Sequence, residues 1–267
     1  MESIQKIHRK RWFIFFAVVL TTFINCVDGS SVNVALPSMA DELGVTMAGI
    51  EWVVTAYKLV IICLILVFGK LGDTIGKDKI FKAGILVFLA GSTVCFLSGS
   101  YAVLLTGRII EGIGSAATMA NSQGIIVQSF PVHERGKALG ISGSSVALGS
   151  MVGPSIGGFI VSYFNWNAIF ALNIPIALLC FILSCKFLPD MSSGKREKAD
   201  IGGVLLFMVM ILCVYGGVKL LQAGASYYLY CLLIVLAAIA VGFVFVRWER
   251  RHSNAMLNLH LFENKLF

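Results

Sequence analysis

Apolar residues fall in eight long runs separated by short polar breaks: Trp12–Ser31, Ile50–Phe68, Ile80–Gly99, Ala102–Gln123, Leu139–Tyr163, Ala168–Leu188, Ile201–Leu221 and Tyr227–Val246. Each approaches the ~20 apolar residues that a helix needs to cross a hydrocarbon core. Backbone in lipid must satisfy its own hydrogen bonds, which leaves helices or a closed barrel. Runs this continuous lack the apolar–polar alternation of barrel strands. The pattern predicts an all-α membrane protein with eight spans. Composition agrees: 58% of the 267 residues are hydrophobic and 13% are charged, where a soluble domain carries about 25% charged.

The formal net charge of +7 changes the picture only through its placement. Lys6, Arg9, Lys10 and Arg11 precede the first run, and Lys70, Lys77, Lys79 and Lys82 follow the second. Arg135 and Lys137 follow the fourth, Lys186, Lys195, Arg196 and Lys198 cluster at the end of the sixth, and Arg247, Arg250 and Arg251 follow the eighth. The intervening breaks carry Asp41 and Glu42 or almost no charge, with Lys219 the basic exception. Basic residues in every second loop mark the cytoplasmic side. The expectation is a multi-pass protein of the cell membrane with both termini cytoplasmic, in contact with the lipid bilayer and with no nucleic acid. The first run is too long for a signal peptide and lacks a small-x-small cleavage site. The seven Cys lie within the runs, none in a CxxC pair, and the four His sit in cytoplasmic segments. Free buried thiols are predicted, with no metal site, no cofactor and no catalytic grouping, so the chain does not read as an enzyme.

Several polar residues interrupt the runs. Asp28 lies well inside the first, where a carboxylate costs roughly 2.5–3.5 kcal/mol and has to face a cavity or a partner. Arg108 lies inside the fourth; a guanidinium does not deprotonate and must find acceptors. Glu111 is three residues on, hence on the same helix face, so a self-neutralising pair within one helix competes with a role in tuning a nearby carboxyl. In the fifth run Gly149, Gly153 and Gly157 recur every four residues, forming a smooth ridge for a neighbouring helix, and Pro154 removes a backbone donor beside them. Lys58 stands about two turns inside the outer end of the second run. Snorkelling to the interface and a role in substrate choice both explain it. Trp52 and Tyr57 suit an interfacial belt or a cavity wall. The break Gly69–Lys79 reads as a tight charged turn in which Gly69, Gly72 and Gly76 let two helices close sharply.

These stretches together resemble the major facilitator superfamily. Gly69, Asp73, Gly76 and Lys77 fit its loop between the second and third spans, although Thr74 and Asp78 stand where the family prefers basic residues. Arg108, Gly112 and Gly114 fit its fourth-span motif, with Glu111 in place of Gln. Asp28 followed by Asn33, Ala35, Leu36 and Pro37 resembles the first-span signature of the fourteen-span drug:proton antiporters. Gly149, Gly153, Pro154, Gly157 and Gly158 fill the fixed positions of the drug exporters' antiporter motif. The resemblance implies alternating access in which inward proton movement drives an amphipathic, drug-like compound outward, with the proton gradient in place of any cofactor. It implies Asp28, with Glu111 as second candidate, as the proton-linked carboxyl beside Arg108, and Asn33 in the substrate cavity. Asp73 and Lys77 become a cytoplasmic latch. A cationic drug would suit Asp28 and Glu111; a metal–tetracycline complex or an organic anion are the alternatives.

The expected organisation is a six-helix N-terminal bundle over residues 1–188, a cytoplasmic linker over 189–199, an inserted helix pair over 200–247 and a cytoplasmic tail over 248–267. That arrangement resembles the front of a fourteen-span transporter whose second half lies beyond the chain, with a partner half or a second copy supplying the rest. The rival expectation is a truncated, non-transporting fragment or a half-transporter that acts only with a partner. The topology has a direct check: single-Cys labelling with an impermeant reagent should reach position Thr46 from outside and not position Ser193. Labelling at Ser193 from outside would overturn the alternation of basic loops as a topology signal.

Overall fold

A computed structural model describes residues 2–191, 200–222 and 228–251. They form eight helices: α1 (Glu2–Leu43), α2 (Met47–Ile75), α3 (Lys77–Phe96), α4 (Tyr101–Ser129), α5 (Val132–Tyr163), α6 (Ala168–Phe187), α7 (Ile201–Gln222) and α8 (Tyr228–Arg251). Most of the expected linker, at residues 192–199, and of the tail, at 252–267, lies outside the described residues.

Seven of these helices are long and apolar enough to cross a membrane, and α4 is the exception. Its length of 29 residues suffices, but Arg108, Glu111, Ser115, Thr118, Asn121 and Ser122 dilute its apolar content. The reason is position. Helix α4 packs on α2 and α3 and also meets α1, so much of its surface faces protein rather than lipid. Its polar residues answer to neighbours instead of hydrocarbon.

Two apolar clusters bracket the packing. One joins Ile14, Phe15 and Val18 of α1 to Phe81, Ile85 and Phe88 of α3 and to Ile125 and Phe130. The other joins Val32, Ala35 and Met39 of α1 to Ile50 and Val53 of α2, Leu104, Trp166 and Phe170. Polar residues with at most 4% exposure lie between them in sequence along α1, α2, α4 and α6: Asn25, Asp28, Tyr57, Arg108, Glu111, Ser115, Thr118 and Asn173. Helix α7 packs on α8, and this pair meets the rest chiefly along α2. There the Trp52 and Tyr215 rings lie edge-on at 6.1 Å and Lys219 Nζ approaches Glu51 at 3.4 Å.

Two boundaries differ from expectation. Helix α1 runs through Pro37 to Leu43 rather than stopping near Ser31, because Val32, Ala35, Met39 and Ala40 keep burying a helical stripe. The expected turn over Gly69–Lys79 shrinks to one residue. Helix α2 continues to Ile75, and Gly76 alone breaks the chain, at φ 126°, a backbone that side-chain-bearing residues rarely adopt. Gly72 is instead a contact residue: a Cβ there would collide with the Asn121 amide, while at Gly69 it would meet nothing.

Close helix approach is concentrated at two seams. On α3–α4, a Cβ at Gly114 would strike the Phe88 backbone nitrogen and the Gly84 carbonyl, and one at Gly91 would strike the Glu111 backbone. On α1–α5, Gly149, Gly153 and Gly157 abut the backbone or side chains of Phe23, Val27, Ser30 and Ser31. The α5 ridge thus packs within this set of helices, against α1. Because backbone atoms receive the clash, Gly114→Ala should destabilise the protein by about 1–3 kcal/mol through overpacking. Gly69→Ala, into open space, should be neutral or slightly stabilising. Thermal unfolding in detergent checks both; an unchanged midpoint for Gly114→Ala would show that α3 and α4 do not approach this closely.

Candidate functional site

The centre of the molecule is organised by Arg108, which is 0% exposed. A buried guanidinium needs several acceptors, since it stays charged under any accessible condition. Its Nη1 donates to Asp28 Oδ2 at 2.8 Å and to Glu111 Oε2 at 2.6 Å. Its Nε donates to the Val53 carbonyl at 3.3 Å. The guanidinium carbon lies 4.0 Å from the centroid of the Tyr57 ring and 5.7 Å from that of Phe170, within the range of cation–π attraction. Buried Nη2 has no acceptor among the described residues.

Each carboxylate has a second donor from another helix. Asn173 Nδ2 on α6 donates to Asp28 Oδ1 at 2.8 Å. Ser92 Oγ on α3 donates to Glu111 Oε1 at 2.5 Å. Tyr57 is held in turn: its hydroxyl lies 3.0 Å from Ser115 Oγ and donates to the Asn25 carbonyl at 3.4 Å. Asn25 Nδ2 donates to Thr118 Oγ1 at 2.9 Å. Side chains from α1, α2, α3, α4 and α6 therefore converge on one cation. With both carboxylates ionised and Arg108 charged, the cluster carries one net negative charge, and one added proton makes it neutral.

The structure brings Asp28, Arg108 and Glu111 together, so Arg108–Glu111 is not a pair closed within one helix. It does not bring Asn33 to them. Asn33 is exposed on α1 and its amide donates back to the Gly29 and Ser30 carbonyls at 3.3 and 3.2 Å. Tyr57 is neither an interfacial nor a wall residue, at 3% exposure beneath Arg108. Lys58, its neighbour, is exposed. At the α2–α3 junction, Asp73 and Lys77 form an ion pair across the Gly76 break, and the Lys77 stem lies over Gly124 of α4. Pro154 is exposed, on a different face of α5 from buried Gly149, Gly153 and Gly157, and Gly158 is half-buried near Val34.

Sequence reasoning missed Asn173, Ser92, Asn25 and Asn121. The available signal was an uncharged polar residue inside an apolar run, which by itself is weaker than a charge. It also missed the use of Asp78. That carboxylate, 2% exposed, accepts from the Met191 backbone nitrogen at 2.9 Å and from Lys82 at 3.1 Å. Lys82 also donates to the Leu188 carbonyl at 3.2 Å. The segment leaving α6 is thereby fastened to the start of α3, which explains an acid at that position.

Comparison with known proteins identifies the family. The chain is 34% identical over 97% of its length to the riboflavin transporter RibZ of Clostridioides difficile (strain 630), covering 56% of that protein. It is 31% identical over 96% of its length to the multidrug resistance protein Stp of Mycobacterium tuberculosis (strain CDC 1551 / Oshkosh), covering 48% of it. The chain thus spans about half the length of these relatives. Among solved structures, a mutant of the peptide transporter POT in complex with alafosfalin superposes with a TM-score of 0.67 at 15% identity, over 94% of this chain and 56% of that one. The proton:xylose symporter XylE bound to 6-bromo-6-deoxy-D-glucose superposes at 0.59 and 14% identity, over 96% and 56%. At such identities the likeness concerns the fold alone. The profile of the Major Facilitator Superfamily matches residues 18–259, and with that match over most of its length the chain belongs to the Major Facilitator Superfamily.

Proposed function

We propose that this chain is the front part of a proton-coupled exporter of the fourteen-span drug:proton antiporter branch, moving drug-like or other amphipathic small molecules out of the cell. One observation carries the reading: a fully buried Arg108 is shared by two carboxylates on different helices, Asp28 on α1 and Glu111 on α4. A cluster one proton from neutrality lies where a displacement of α1 relative to α4 changes its pairing. With Asp28 ionised, Arg108 bridges α1 and α4. A proton on Asp28 weakens that bridge while Glu111 keeps the cation in place, so the two helices gain freedom to shift. Asn173 holds the Asp28 carboxyl in position throughout. The match to relatives named for multidrug resistance and for riboflavin transport supports a small-molecule cargo.

In this reading the first six helices form one rocking unit, α7 and α8 are the inserted pair of the fourteen-span branch, and the second unit is supplied by a further half. Alternating access needs two units moving about a central site. The glycine ridge Gly149, Gly153 and Gly157, with Gly158 beside Val34, keeps α5 and α1 moving as one body. The Asp73–Lys77 pair at Gly76 serves as the cytoplasmic latch against the second unit.

Two measurements test the proposal. In vesicles containing the complete transporter, Asp28→Asn should lower drug-driven proton release at least about tenfold, equivalent to about 1.4 kcal/mol, with a smaller loss for Glu111→Gln. Undiminished coupling in Asp28→Asn together with its loss in Glu111→Gln would move the proton to Glu111. Expression of residues 1–267 alone should insert but produce no uncoupler-sensitive efflux. Efflux from that chain, abolished by Gly153→Leu, would instead mean that two copies assemble a working transporter.

A further inference from the structure

The geometry points to Lys58 as the charge that sets substrate class: it lines the translocation cavity and selects amphipathic organic anions. This rests on the transport reading above and adds what the cavity recognises.

The charged residues deep within α1, α2 and α4 are Asp28, Lys58, Arg108 and Glu111. Three of them are 0% exposed and satisfy one another. Lys58 is exposed, and no hydrogen bond or ion pair engages it among the described residues. The carboxylates that would have suited a cationic drug are therefore turned inward and already held by Arg108, Asn173 and Ser92. The charge presented at that depth is positive.

Lys58 is too deep to reach the interface. It lies about three turns, roughly 16 Å, from the start of α2 at Met47. A helix of 29 residues is ~44 Å long and overhangs a ~30 Å hydrocarbon core at both ends, which leaves Lys58 roughly 9 Å below the outer boundary. That is beyond the reach of a four-carbon stem. An ammonium group facing lipid at this depth is strongly disfavoured, so its exposed face meets water.

The neighbours identify that water-facing surface. Tyr57, one residue before, points at α1 and α4: an added Cβ at Gly29 would sit 3.4 Å from its ring, and its hydroxyl reaches Asn25. Lys58 leaves α2 about a quarter-turn round from that seam. One turn beyond Gly29 on α1 is exposed Asn33, and one turn before it is half-buried Cys26, whose thiol meets the hydroxyl of exposed Ser150 on α5. Asn33, Cys26 and Ser150 make a polar strip across α1 and α5, with Lys58 beside it on α2. Glu51, seven residues before Lys58 on the same face, is paired with Lys219 near the outer end of α7 and does not neutralise it. A lone, desolvation-prone cation beside neutral polar groups favours an anionic partner and rejects a cationic one by repulsion.

The test uses the complete transporter reconstituted in vesicles. Lys58→Cys should add labelling by a negatively charged, membrane-impermeant maleimide over the unsubstituted protein; no added labelling would overturn placement in the cavity. With an imposed proton gradient, the unsubstituted protein should export carboxyfluorescein about tenfold better than ethidium. Lys58→Arg should retain that preference, Lys58→Gln should lose it about tenfold and Lys58→Glu should invert it. Equal gradient-driven export of both dyes, unchanged in Lys58→Gln, would overturn the substrate class while leaving proton-coupled transport standing. Export of either dye without dependence on the gradient would overturn the transport reading and this inference with it.

Discussion

A guanidinium buried in the middle of a membrane protein cannot discharge itself, so the surrounding helices have to be arranged around it. Arg108 imposes that constraint here. Its two carboxylates come from α1 and α4, a carbonyl and an aromatic face come from α2, and the second donors to the carboxylates come from α3 and α6. Five helices thus share one electrostatic centre. Removing Arg108 would leave two buried carboxylates uncompensated, which is far costlier than never having placed those charges there. The centre fixes register as well as stability: sliding α1 by one turn would put Val32 or Ile24 where Asp28 meets Arg108.

Small residues make that centre reachable. Asp28 and Arg108 belong to helices whose outer seams, α1–α5 and α3–α4, run backbone against backbone at glycines. Without a hydrophobic driving force in lipid, such close approach supplies dispersion and weak polar contacts that larger side chains would prevent. The polar residues between the two apolar clusters then carry both the ionic centre and a hydrogen-bonded set joining Asn25 to Thr118, Thr118 to the Ser115 carbonyl, and Ser115 to Tyr57. Apolar packing toward either end and an ionic middle are what the proposed rocking unit requires: a body that moves as one while an internal bond changes.

The fold is shared with transporters of peptides and of xylose at low identity, and the more similar relatives include proteins named for riboflavin and for multidrug resistance. A scaffold does not by itself set cargo, so in the reading proposed above specificity resides in a few side chains on the exposed face. The ionic centre is not on that face. Lys58, Asn33 and Ser150 are exposed, and in that reading they are the positions at which recognition can change without disturbing what holds the chain together.

The sequence by itself determined the eight helices of the described residues, the membrane-length apolar character of seven of them and the residues that had to be compensated. Continuous apolar runs admit no other backbone in lipid, and Asp28, Arg108 and Glu111 announce themselves by being charged inside such runs. The four-residue spacing of Gly149, Gly153 and Gly157 likewise marked a packing ridge, because helical periodicity is local. Tertiary structure alone decided the partners. Nothing local tells that Arg108 reaches across to α1, that Asn173 and Ser92 complete the two carboxylates, or that the α5 ridge meets α1. The same holds for Tyr57 and Lys58, adjacent residues that the chain pattern treats alike. A turn of about 100° per residue sends one into the ionic centre and the other to the open face, and which direction is which depends on where α1 and α4 stand.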